Sequence, residues 1–133
     1  MNENKKRVLV IEDNEADASV IQDALAARTD CEVTRFVDGA DALAALLNDS
    51  IQLPDAILLD LNLPRSEGLD ILLAIRNTPR LSEIPVGILT SSQLPSDELR
   101  ASLIGAVCYV HKPFSYEQFV NRVRQAIAGM VDG

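Results

Sequence analysis

The 133-residue sequence predicts an α/β fold, a doubly wound parallel sheet of five strands with helices on both faces. Short runs dense in branched aliphatics alternate with longer stretches of helical period. One of those runs, Ala56 to Asp60, shows no polar alternation, as a strand covered on both faces requires. Nearly half of the residues are apolar, so a chain of this length can bury a real core as one domain. No linker or low-complexity tract divides residues 1–133.

The first strand is expected from Arg7 to Glu12, followed by a helix from Glu15 to Arg28 striped by Ala16, Val20, Ile21, Ala24 and Leu25. A second strand, Glu32 to Val37, leads through Asp38-Gly39 into a helix carrying Leu43, Leu46 and Leu47. Pro54-Asp55 opens the third strand, Ala56 to Asp60. A turn from Pro64 to Gly68 then precedes a helix with Leu69, Leu72 and Ile75, closed by Asn77-Thr78-Pro79. The fourth strand is Pro85 to Leu89, and Pro95-Ser96-Asp97-Glu98 has the composition of a capped helix start. Leu99 and Leu103 of that helix are expected to cover the sheet. The fifth strand, Val107 to His111, runs into Lys112-Pro113-Phe114, and a last helix carries Phe119, Val123, Ile127 and Met130.

Composition excludes several function classes. Acids outnumber bases 20 to 12, for a formal charge of −8, which disfavours general attraction to nucleic acid or anionic membrane. The apolar runs are far shorter than the ~20 residues a bilayer span needs. The polar start, Met1 to Arg7, has no signal-peptide core, so a cytoplasmic location is expected. Cys31 and Cys108 form no metal or disulfide spacing and are expected to be small buried hydrophobes in strands. The single histidine, His111, is expected to close a strand.

Open parallel sheets bind ligands beyond the carboxyl ends of their strands. Those ends carry Glu12-Asp13, Asp60, Thr90 and Lys112. Three neighbouring carboxylates repel one another unless a cation or the ammonium of Lys112 compensates. Hard oxygen ligands without histidine or cysteine point to Mg²⁺, with Mn²⁺ as the alternative. A metal beside a carboxylate suits phosphoryl transfer, the carboxylate attacking phosphorus to form an acyl phosphate.

Four stretches carry a family resemblance: VLVIEDNEAD (Val8 to Asp17), DAILLDLNLPRSEGLDIL (Asp55 to Leu72), IPVGILTSS (Ile84 to Ser92) and GAVCYVHKPF (Gly105 to Phe114). In this order and spacing the chain resembles the receiver domains of two-component response regulators over nearly its whole length. The resemblance implies a flavodoxin-like (βα)5 fold with strand order 2-1-3-4-5. It implies that Asp60 accepts phosphate from a histidine kinase or phosphotransfer protein. Glu12, Asp13, Asp60 and the backbone carbonyl of Asn62 would hold Mg²⁺, and Lys112 would pair with the carboxylate and then with a phosphate oxygen. Thr90 matches the switch hydroxyl and Tyr109 the switch aromatic. Pro113 matches a proline typically preceded by a cis peptide, and Gly68 a turn glycine where a side chain is disfavoured.

Strand parity adds that Tyr109 and Lys112 leave opposite faces. PRSEG (Pro64 to Gly68) departs from the commoner P-x-M-D-G of the family, with Ser66 and Glu67 in place of methionine and aspartate. DLNLPR and NTPRLSEIPVGILTSS look like the subgroup paired with bacterial phytochromes, although the chain has no tryptophan and ends in AGMVDG.

With no second segment in the sequence, output is expected to be a protein contact: a downstream target, or a homodimer through the fourth helix, fifth strand and fifth helix, near Leu94, Leu99, Leu103 and Tyr109. Reversing a 1:99 population takes about 5.5 kcal/mol, more than two charge-assisted bonds provide. Three other functions compete. An aspartyl-phosphate phosphatase or phosphotransferase would want an acid where Asn62 stands. A non-phosphorylated interaction module would have lost the acceptor, a metal acid or the lysine. A flavodoxin-like nucleotide binder would need a glycine-rich loop after the first strand.

Overall fold

The computed structural model describes residues 5–48, 52–63 and 66–132. Its elements are β1 (Lys6–Ile11), α1 (Glu15–Ala26), β2 (Cys31–Phe36), α2 (Gly39–Leu46), β3 (Ala56–Leu59), β4 (Asn62–Leu63), β5 (Ser66–Glu67), α3 (Gly68–Arg76), β6 (Val86–Thr90), α4 (Pro95–Ile104), β7 (Cys108–His111) and α5 (Tyr116–Val131). The main sheet has the order β2-β1-β3-β6-β7, with every pair parallel. Counting only its own strands, this is the expected 2-1-3-4-5.

Alternation along the strands sorts the core into two layers. Leu9, Ile11, Ile57, Leu59 and Ile88 face α2, α3 and α4, where Leu46, Leu72 and Ile75 are fully buried. Val8, Val10, Leu58 and Leu89 face α1 and α5, against Ile21, Leu25, Phe119, Val123 and Ile127. All four β3 residues are buried, so the central strand is walled on both faces. Each fully buried Leu or Ile contributes about 1.5–3 kcal/mol over an exposed one, and this wall fixes where β3 ends.

Helix starts follow local chemistry. The Asn14 side chain accepts from Asp17 N at 2.9 Å, that of Asp38 from Ala40 N at 2.7 Å and that of Ser115 from Gln118 N at 3.3 Å. At α4 the expected capped start is only half present. Pro95 occupies the first turn, but the N-cap residue is Leu94, which offers no side-chain acceptor. The other end of α4 is firmly held. Gly105 terminates it at φ +117°, a left-handed conformation natural to glycine. Arg76 Nη2 donates to the Gly105 carbonyl at 2.8 Å, and its Nη1 to those of Ile84 and Ser82 at 2.7 and 3.2 Å.

Several expectations are corrected. β1 and β3 stop at Ile11 and Leu59, one residue early, so Glu12 and Asp60 stand just past the strands although their N–H groups still reach Phe36 O and Ile11 O. α1 ends at Ala26, and Arg28 instead pairs with Asp30 and Asp132, tying the end of α5 to the α1–β2 turn. Cys31 and Cys108 lie in strands as expected but are only half-buried, because β2 and β7 are the sheet's edges. Part of the expected turn at Pro64 to Gly68 is an antiparallel pairing of β4 with β5, Asn62 opposite Glu67. Pro64 and Arg65 themselves lie outside the described residues. No described peptide bond is cis: Pro113 follows a trans bond, the isomer an X–Pro peptide intrinsically prefers by about 0.5–1 kcal/mol.

Leu99 and Leu103 do not cover the sheet. They are 61% and 77% exposed, and only Ala101 of α4 is buried. The side of α4 that meets the core is carried by Ala101 and the partly buried Ile104 instead. Among the described residues, no helix is long and apolar enough to cross a membrane.

Candidate functional site

Register brings the chemistry together. Ile11 pairs with Leu59 and Leu59 with Ile88, so Glu12 and Asp60 leave neighbouring strands at one level and Thr90 ends β6 just beyond. Thr90 pairs with His111, and Lys112 N donates to Thr90 O at 2.8 Å. His111 closes β7 as expected. Glu12, Asp60 and Thr90 are buried polar residues in an otherwise apolar interior.

The Lys112 ammonium sits in the midst of the acids. Its Nζ lies 2.9 Å from Asp60 Oδ2, 2.7 Å from Glu12 Oε1 and 2.7 Å from Asp17 Oδ2. The other Asp60 oxygen, Oδ1, accepts from Asn62 N at 3.0 Å, and Glu12 Oε2 accepts from Asn14 N at 3.2 Å. Burial holds the Glu12 carboxyl well above the usual carboxylate range, with Lys112 opposing the shift and Asp60 adding to it. For Lys112, burial alone would lower the ammonium, yet hydrogen bonding to Asp17 and Glu12 and the charges of Glu12 and Asp60 raise it overall. One fixed cation thus serves more carboxylates than it can neutralise.

Carboxylate oxygens of Glu12, Asp13 and Asp60 lie within 4.8 Å of one another. Three hard, anionic oxygens beside an under-compensated cluster fit a divalent cation such as Mg²⁺, and the absence of imidazole or thiolate among them does not suit zinc.

On the other side, Thr90 Oγ1 accepts from Asn62 Nδ2 at 3.3 Å and from Ser92 N at 3.2 Å. Both of these partners donate, so neither bond uses the threonine O–H. Tyr109 packs against the α2–α4 layer while Val110 joins the α1–α5 layer, so the parity expected of Tyr109 and Lys112 holds. The Tyr109 phenol oxygen is buried near the Ser92 side chain without a well-formed hydrogen bond, and burial raises its pKa. Its ring meets His111 edge-on at 5.3 Å.

Gly68 proves necessary for a reason more specific than a turn. A Cβ there would fall 2.5 Å from Asp60 O and 2.6 Å from Leu61 Cα, both backbone atoms that cannot step aside. The Gly68 N–H donates to Leu61 O at 3.0 Å, so the start of α3 is pressed directly against the loop that carries Asp60. Gly68→Ala is therefore expected to destabilise the fold by about 1–3 kcal/mol, although alanine is the better helix former. Urea denaturation monitored by circular dichroism would measure the loss.

Sequence reasoning missed Asp17. It lies in the first turn of α1, three residues after the cap Asn14, and that spacing turns its side chain back toward the strand ends.

Comparison with known proteins agrees with this geometry. The family of response regulator receiver domains matches residues 8–124. Response regulator Rcp1 of Synechocystis sp. is 36% identical over 112 residues, covering 80% of this chain and 76% of that protein. The solved structure of the Mn²⁺-bound form of Rcp1 superposes with a TM-score of 0.89 at 31% identity, covering 96% of this chain and 95% of that one. That of the phosphorylated cyanobacterial phytochrome response regulator RcpA gives 0.88 at 34% identity, covering 95% and 94%.

Proposed function

The chain belongs to the response regulator receiver domain family, and from that membership we propose that it is a phosphoryl-accepting switch with Asp60 as the acceptor. The observation that carries this reading is the placement of Asp60. Its carboxylate is 5% exposed at the end of a fully buried strand, with one oxygen held by Lys112 and the other by Asn62 N–H. Such a nucleophile is fixed before its substrate arrives.

In the proposed reaction a carboxylate oxygen of Asp60 attacks the phosphorus of a phosphohistidine on a histidine kinase or phosphotransfer protein. A P–O bond forms and the P–N bond breaks, its electron pair leaving on the imidazole. Glu12, Asp13, Asp60 and the Asn62 carbonyl would hold Mg²⁺, which when bound supplies positive charge against the phosphate oxygens. Lys112 steadies the carboxylate beforehand and donates to a phosphoryl oxygen afterwards. The Thr90 O–H donates to another. Tyr109, whose buried phenol has no well-formed hydrogen bond to give up, would reorient in concert with Thr90.

Asn62 cannot act as a general acid, and its amide is engaged with Thr90. We therefore assign no separate substrate turnover to the site. The proposed unit is a single receiver domain signalling through protein contact from the cytoplasm, where a kinase-borne phosphohistidine would be met. Leu99 and Leu103, one turn apart on α4 and each more than half exposed, offer an apolar stripe suited to a downstream protein or a second copy of the chain. The likeness to RcpA, a cyanobacterial phytochrome response regulator, supports a phytochrome-type kinase as donor.

Incubation with acetyl phosphate and Mg²⁺ is expected to add one phosphoryl group, stable to acid and labile to base, and prior removal of divalent cations with EDTA should slow the gain at least about tenfold. Intact-protein mass spectrometry reads both. No adduct from acetyl phosphate or from any phosphohistidine donor would refute the assignment.

A further inference from the structure

The Lys112 ammonium hydrogen-bonds Asp17 and Asp60, and Glu12 Oε1 stands 2.7 Å away as an ion pair outside hydrogen-bond alignment, so three carboxylate oxygens crowd one cation. A phosphoryl group on Asp60 would bring three further acceptor oxygens to the same place. With three carboxylate oxygens packed within 2.9 Å of it, Lys112 reaches a phosphoryl oxygen by giving ground on one of them.

The three partners differ in what release would cost. Glu12 and Asp60 have side chains only 2% and 5% exposed, so either would be left buried, with neither the ammonium nor water as a partner. Asp17 is 27% exposed, on the first turn of α1, and can be rehydrated. Its backbone N–H stays bonded to Asn14 whatever its side chain does, so the helix start does not depend on the Lys112 contact.

Taking Asp60 as the phosphoacceptor, we propose that Asp17 is the exchangeable partner of Lys112, holding the ammonium in the unphosphorylated state and surrendering it to the phosphoryl group. Asp17 is a positioning residue that acts through Lys112. It opposes phosphorylation twice, by retaining the lysine and by adding negative charge where phosphate must enter. A purely structural role for the contact predicts the opposite sign, since losing it would then disorder Lys112 and slow the reaction.

The test uses the full chain with acetyl phosphate and saturating Mg²⁺. Asp17→Asn, which keeps the side chain's shape, is expected to raise the phosphorylation rate about three- to tenfold. Asp17→Ala, compatible with the helix, should act in the same direction. In a Lys112→Ala background, Asp17→Asn should change the rate less than about twofold. An unchanged or slower rate in either single variant overturns the proposal, as does an equal gain in the Lys112→Ala background, which would reveal a general charge effect. A parent chain that takes up no phosphoryl group would instead refute the Asp60 assignment on which the proposal rests.

Discussion

Asp60→Asn is expected to abolish phosphoryl uptake from acetyl phosphate and from any kinase, while the protein stays folded. An amide is nearly the same size as the carboxylate and lacks the nucleophilic oxygen. Lys112 keeps Glu12 and Asp17 as partners, and the cluster loses one of its mutually repelling charges. The change in stability should therefore stay within about 2 kcal/mol. Mass spectrometry of the intact chain and urea denaturation, run side by side, separate a lost acceptor from a lost fold.

Lys112→Ala is expected to have the larger effect on stability. Removing the ammonium leaves Glu12 and Asp60, both nearly inaccessible to water, without their fixed counter-charge. Breaking a buried pair in this way costs about 3–5 kcal/mol. A large share of that loss should return when Mg²⁺ is added, because the orphaned carboxylates are the same ones that would hold the cation. Denaturation midpoints with and without Mg²⁺ measure the difference. A variant as stable as the parent in EDTA would show that Lys112 does not compensate the acid cluster.

The site was legible in the sequence where strand ends announce themselves. An aliphatic run broken by an acid, as in ILLDLNLP, locates both a buried strand and its exit, and parallel topology then brings Glu12, Asp60, Thr90 and Lys112 to one edge. Gly68 was legible as a position, but the backbone approach that demands it appears only when α3 is packed onto Leu61.

Other features left weaker traces. Two-residue strands such as β4 and β5 are too short to display a period. Asp17 reads like any acid in a helix's first turn until Lys112, ninety-five residues away, arrives beside it. The Arg76 contacts are to backbone carbonyls, which no side-chain pattern encodes. An apolar stripe on α4 reveals periodicity and says nothing about cover: helical spacing buries Leu72 and Ile75 on α3 but leaves Leu99 and Leu103 facing solvent.

The most direct test of Asp60 as phosphoacceptor is chemical trapping. Borohydride reduces an acyl phosphate on aspartate to homoserine, leaving a permanent mark at the modified residue. After acetyl phosphate and Mg²⁺ treatment, peptide sequencing by mass spectrometry should find homoserine at position 60 and nowhere else. Homoserine at another acid, or an unmarked Asp60 in protein that has gained phosphate, would contradict the account.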